Sequence, residues 1–364
     1  MKLKNYSSDE IRLLQEVLRS IGEMENEEIK ETSLWEFLSL IRGAKLNKLS
    51  FLFYQEVLGI LPLLSEERRA SLFYIMLPAI EEAKFGEREE LAIYKQMMDI
   101  VETFGDEAQR ESLRRSLLLS YEGYDEKERE IVLRKLREER EEWEKRREWD
   151  KDAIKNFLFL ADMFYRVGSP EDFFQMVLRS IDKISRLADR EVMVSWLSIA
   201  AKLAGNRLTK EQAEKLLGKI LDRGNKLEDK WKATLLILLS SGLFTMELGD
   251  TSPLYNKMLK MGMSIKEEAR RLTTLAFVLL GLLKSGMQSS LLKEEIERWR
   301  KAEYDEKFSF RITLLWEIYQ LCEESQFESA LEKAREMNEY LRREALFIIA
   351  SWLIKRIKKG SDSA

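Results

Sequence analysis

A unit of about 38 residues recurs along this chain. Apolar stretches with helical spacing begin near Lys151, Arg190, Asp229, Glu267, Glu306 and Arg342, and each is followed by a turn and a second amphipathic stretch. No such short helix can hide its apolar side alone, so each must be shielded by its neighbour. The period therefore predicts an all-α fold: a right-handed α–α superhelix, or solenoid, of helix-turn-helix pairs.

Composition agrees with that reading. Leu, Glu, Lys and Arg dominate, and only four prolines occur in 364 residues. That mix favours helix over strand, and no alternating run bounded by turn residues argues for a sheet. Hydrophobic residues make up 45% of the chain, enough for a continuous core. Charged residues make up 35%, yet the net charge is only -4. Interleaved signs read as solvated helix faces laced with ion pairs, not as a strongly basic nucleic-acid binder. Abundant Lys and Glu with few Asn, Gln and Cys points to a thermophile.

Punctuation supports the parse. Ser7, Thr209, Ser264 and Ser325 each precede a Glu or Gln by three residues, the pattern of a capping box. Pro170 and Pro253 follow serines at expected first helical positions. Gly168, Gly205, Gly242 and Gly286 are placed to close helices. Pro78 falls inside a helical pattern and should kink or break it.

Four segments follow from this. Residues 1–124 form an N-terminal helical-repeat half. Residues 125–150 form one long, densely charged helix whose second half projects, a candidate hinge. Residues 151–358 form the C-terminal half, closed by a lone helix at Arg342–Lys358. Residues 359–364 form a disordered tail. The N-terminus has no apolar stretch of signal-peptide kind, and the longest apolar run is too short to span a bilayer. A cytoplasmic protein is expected.

The segment Trp316–Met337, WEIYQLCEESQFESALEKAREM, resembles the second half of a tetratricopeptide unit. The junctions ILDRGNKLEDKWKATLLILLSSGLF and KAREMNEYLRREALFIIASWL resemble linkers of tetratricopeptide-like arrays common in thermophilic archaea. The likeness covers residues 150–357 at the level of period and junctions, and departs from the family where larger side chains fill small-residue positions. It implies a scaffold that binds peptides, partner domains or, less often, nucleic acid.

One column of residues suggests a binding surface. Lys232-x-Thr234, Arg271-x-Thr273 and Arg311-x-Thr313 repeat at spacings of 39 and 40, and Lys155 and Arg115 extend the register backwards. Stacked helix pairs align equivalent positions along one surface. A ladder of cations and hydroxyls there would hold acidic peptides or phosphates, unless those side chains simply snorkel over the core and pair with neighbouring acids. Trp143 and Trp149 lie in the charged segment and suggest either a partner surface or packing against the next unit.

Chemistry is strongly bounded. Histidine is absent, so Ser-His-Asp and Cys-His catalysis cannot be assembled. Cys322 is the only cysteine, which removes intrachain disulfides and Cys/His zinc sites. No glycine-rich phosphate loop is present. No enzyme activity, metal or cofactor is expected. The expected function is a non-catalytic scaffold binding another protein or acidic peptide on its concave face. The alternatives are a nucleic-acid- or ribosome-associated factor using the same ladder, and a toroidal helical enzyme with paired carboxylates. Homodimerisation through an apolar face at 342–357 is also open; membrane association is not expected.

Overall fold

The computed structural model describes residues 8–362 except 45, 47, 84, 123–125, 147, 243–252, 285–292, 295 and 298–305. Among the described residues it is all-helical, without strands. The helices are α1 (Ser8–Gly22), α2 (Glu27–Ala44), α3 (Lys48–Ile60), α4 (Glu66–Glu82), α5 (Glu87–Val101), α6 (Glu107–Glu122) and α7 (Glu126–Glu144). They continue as α8 (Lys151–Arg166), α9 (Pro170–Ile184), α10 (Arg190–Ala204), α11 (Lys210–Gly224), α12 (Asp229–Ser240), α13 (Pro253–Met263) and α14 (Glu268–Lys284). The last three are α15 (Glu306–Glu323), α16 (Phe327–Arg335) and α17 (Glu339–Asp362). Between α14 and α15 only residues 293, 294, 296 and 297 are described, and they are helical.

The chain divides into two compact units: Met1–Gly123 with Thr313–Ala364, and Tyr124–Ile312. In the first, α2 packs on α4 and α4 on α6, while α1 packs on α3 and α3 on α5. The end of the chain joins this body, with α17 against both α1 and α2 and α16 against α1. In the second unit, α10 packs on α12 and α12 on α14, with α8 also touching α10; α9 meets α11 and α11 meets α13. Each row buries one apolar stripe. Leu216, Leu217, Ile220 and Leu221 of α11 are fully buried, each contributing about 2 kcal/mol.

The closing contact overturns two expectations. The second half was expected to run to 358 and end in a lone capping helix. Residues 313–364 instead group with 1–123, because α1 and α2 cover the apolar side of α17. That same face was the argument for a homodimer, and it is occupied within the chain. The helix also runs on to Asp362, where a disordered tail was expected.

The charged helix differs as well. It ends at Glu144, not at 150, and it does not project. Leu133 and Leu136 are buried, α7 packs on α8, and Arg140 and Arg137 both reach Asp172 at the start of α9.

Five of the described caps are Asp or Asn. Asn26, Asp106, Asp150, Asp189 and Asn338 accept first-turn amides. Thr209 forms the full capping box with Gln212. Ser264 does not cap: its hydroxyl donates to the Met261 carbonyl, and the Glu267 carbonyl accepts from Arg271 N–H at the start of α14. Ser325 sits at φ 66, closing α15 in the left-handed region, so it cannot open α16. Pro78 lies inside α4, which continues to Glu82.

Candidate functional site

Counting from each N-cap shows what the basic column does. Lys232 and Arg271 stand four residues after Glu228 and Glu267. The same position is Lys30, Arg69, Arg110 and Arg342 after Asn26, Ser65, Asp106 and Asn338. A helical side chain points back toward the N-terminus, so these heads reach the loop before the cap. Arg110 donates to the Phe104 carbonyl at 2.7 Å, Arg271 to Ile265 at 3.2 Å and Arg342 to Met337 at 3.2 Å. Arg69 lies over the Phe104 ring at 4.9 Å, and Lys232 sits 3.6 Å from Asp229. The position braces the junctions between helices.

Not every residue of the expected ladder shares this register. Lys155 is one position late: four after Asp150 is buried Ile154, and four after Asp189 is buried Met193. Lys155 itself is exposed on α8. Arg115 lies on α6, nine after its cap, and its side chain is outside the described set. Arg311 lies half-buried on α15 at the end of the second unit, and Thr313, half-buried, begins the returning segment of the first. Thr234 and Thr273, six after their caps, donate to the carbonyls of Lys230 and Ala269 at 3.0 and 2.9 Å.

Trp143 and Trp149 pack on each other and on α8. Their ring centroids are 6.3 Å apart, and Trp149 meets Phe157 edge-on at 5.2 Å. Arg146 covers Trp143 and Lys183 covers Trp149. These aromatics are joined to the core of the second unit and are not free on a charged helix.

What the column reading missed is an apolar row six residues beyond the basic positions, and four beyond the threonines, on the same helices. Ile199, Leu238 and Phe277 each stand ten residues after the caps of α10, α12 and α14. On α8 that position is buried Leu160, and the exposed Phe159 stands one residue before it. Phe159 is 65% exposed and Ile199 43%, while Leu238 and Phe277 are half-buried. Trp196 and Trp231 lie half-buried on the same helices. The spacing of 39 was visible in the chain, but a hydrophobic residue inside a helix pattern reads as core. Beside Phe277 an apolar recess is lined by Ala276, Leu280, Arg311 and Ile312.

Close packing holds this face together. A Cβ on Gly281 would lie 2.6 Å from the Ser240 carbonyl oxygen, so the glycine lets α14 approach the α12 backbone. Lys202 lies at the rim of the row, with its stem against Gly242; the residue is exposed, yet desolvation lowers its ammonium below the usual lysine range. Deeper in the unit, Asp162 of α8 binds Arg207 and Arg166. Burial pushes its carboxyl up, but the two guanidiniums outweigh it and hold it below the usual carboxylate range.

Among the described residues no group of three or more Asp, Glu or Cys is placed to hold a metal ion, and no helix is long and apolar enough to cross a membrane. Comparison with known proteins returns no match: no family model fits the chain, and no curated protein or solved structure is significantly similar to it.

Proposed function

We propose that this chain is a non-catalytic helical-repeat scaffold of tetratricopeptide-like kind, which binds another protein on the open face of α8, α10, α12 and α14. The carrying observation is the row Ile199, Leu238 and Phe277, aligned on α10, α12 and α14 and incompletely covered, with Phe159 exposed on α8 one position out of that register. Aligned apolar side chains left at a surface are the usual mark of a docking site. The repeat reading is supported by one recurrent bond. The first-turn carboxylates Glu27, Glu66 and Asp229 accept the backbone N–H of Ser65, Gly105 and Lys266, 37 to 39 residues on. A thermophilic origin belongs to the same proposal, supported by ion pairs between neighbouring helix pairs such as Arg68–Glu31 and Lys219–Asp182. A thermal midpoint above about 90 °C tests it. Phosphate binding ranks second, because Lys232 and Arg271 are engaged at their own junctions.

The test is capture of partners from native lysate with wild-type chain and with Ile199→Asp/Phe277→Asp. The reading requires loss of the captured proteins in the double variant, with unchanged helicity. An identical set of captured proteins would sink it.

A further inference from the structure

The lone closing helix expected from the sequence has a pair, and it is α1. In the second unit the two helices of a pair touch, α8 on α9, α10 on α11 and α12 on α13. The second helix of a pair also meets the first helix of the next, α9 on α10 and α11 on α12. In the first unit α17 touches α1 as a first helix touches its second, and α1 then meets α2 as the next first helix. The rows agree. α17 stands before α2 and α4 in one, and α16, α1, α3 and α5 follow one another in the other. The bond from Glu339 to the amides of Glu25 and Asn26 repeats those from Glu27 to Ser65 and from Glu66 to Gly105. α17 and α1 therefore fill the places of one helix pair, although the body of the chain separates them in sequence.

That separation has an energetic consequence. Residues 167–169 join α8 to α9, so a helix that leaves this pair stays within reach of its seat. Between α17 and α1 there is no such link. A short loop ties α1 to α2, and another ties α17 to α16. What holds the two together is side-chain contact. Val17 and Ile21 of α1 line a small recess with Leu346, Phe347 and Ala350 of α17. Arg356 reaches Glu10 at 3.5 Å, and Arg12 of α1 reaches Glu328 of α16 at 2.6 Å. The side chains of Arg12 and Glu328 are 49% and 71% exposed, so water screens that pair and it adds little. Apolar contact closes the pair, and no connection keeps it closed.

We propose that α1 and α17 are the two halves of one split repeat and form the latch of the first unit, parting before α3, α4, α5 and α6 unpack. In an array where each pair is held only by its neighbours, such an opening is a local event. The latch is independent of the docking face, which belongs to the second unit.

Hydrogen exchange on the full chain, resolved helix by helix with mass spectrometry, tests this. In the wild-type protein, amides in the middle of α1 and α17 should be protected to the same degree and should exchange about tenfold or more faster than those of α3 and α4. Val17→Ala, on α1, should speed exchange across α17 about tenfold and leave α5 and α6 unchanged. Ile21→Val is the milder variant, with an expected rise of about threefold across α17, and it decides the matter if Val17→Ala does not fold. Exchange in α17 that ignores both substitutions would overturn the proposal, because α1 would then not be its other half. Protection of α1 and α17 equal to that of α3 and α4 would also overturn it, as would a rise shared evenly by α1 to α6, since the unit would then open as one block.

Discussion

Arg343 grips Glu36 across 307 residues of sequence, with Nη2 and Nε at 2.6 and 3.1 Å from the two carboxylate oxygens. Glu36 is only 5% exposed in its side chain, and the pair lies where α17 packs on α2. Burial lowers and the carboxylate raises the Arg343 guanidinium, with a net rise above its usual range. Glu339 adds a second tie by accepting the N–H groups of Glu25 and Asn26. Arg12–Glu328, Arg335–Glu16 and Arg356–Glu10 extend the seam. This junction of last helix on first uses the same carboxylate-to-cap-loop bond that Glu66 makes to Gly105.

Removing Arg343 takes the two-pronged guanidinium contact from a buried carboxylate. Arg343→Ala should therefore lower stability by about 3 kcal/mol, whereas Arg343→Met with Glu36→Leu should recover most of that loss. Denaturant midpoints of the three proteins measure it. A single variant as stable as wild type would show that the pair holds nothing together.

Asp162 gives the second unit an acid-sensitive clasp. Its folded pKa is held below the ordinary carboxylate range, so its pairing stabilises fully above that range. The contribution is lost as pH falls through the depressed folded value. Asp162→Asn should lower stability at pH 7 by about 3 kcal/mol, because buried Arg207 loses the carboxylate it pairs with. The gap between variant and wild type should narrow as pH drops below about 4. An undiminished gap in strong acid would place the effect elsewhere, in packing and not in charge.

The helices were legible because their punctuation is local. Periodicity and Pro170 place α9 within two residues of its observed end, and Thr209 with Gln212 marks α11. Two kinds of information were not local. Ser325 matches a capping box in sequence, but the chain turns there with positive φ, and only the backbone reveals that. The closure of α17 on α1 and α2 depends on Arg343 and Glu339 finding partners more than 300 residues away, which no period can announce. For the site, the basic-x-Thr pattern was a true regularity with another purpose. It became interpretable once register was counted from caps such as Asp106, and the apolar row then followed on the same helices.

Gly281 and Gly59 make opposite predictions for the same substitution. Nothing lies within 4 Å of a Cβ at Gly59 in α3, so Gly59→Ala should stabilise by about 0.5–1 kcal/mol through helix propensity. At Gly281 the same gain is opposed by collision with the Ser240 backbone, 2.6 Å away. Overpacking of that kind costs about 1–3 kcal/mol, so Gly281→Ala should be destabilising on balance and should shift Phe277 relative to Leu238. Thermal midpoints that rise for Gly59→Ala and fall for Gly281→Ala carry the argument. A rise in both would mean that α12 and α14 are not in backbone contact.

The division between bracing and docking residues can be separated by experiment on Arg271 and Ile199. Arg271 Nη1 holds the carbonyl of Ile265, a residue 1% exposed at the α13–α14 junction. Arg271→Ala removes one charge-assisted hydrogen bond, so stability should fall by about 1.5–3 kcal/mol. It leaves the apolar row untouched, so captured partners should be retained wherever the protein stays folded. Ile199→Asp, on an exposed side chain, should do the reverse: a change of less than about 0.5 kcal/mol in stability with loss of partners. Measuring denaturant midpoint and partner capture on both variants gives a crossed pattern if the assignment is right. If Arg271→Ala abolishes capture while its midpoint stays at the wild-type value, the cation column is the binding surface and the apolar row is not.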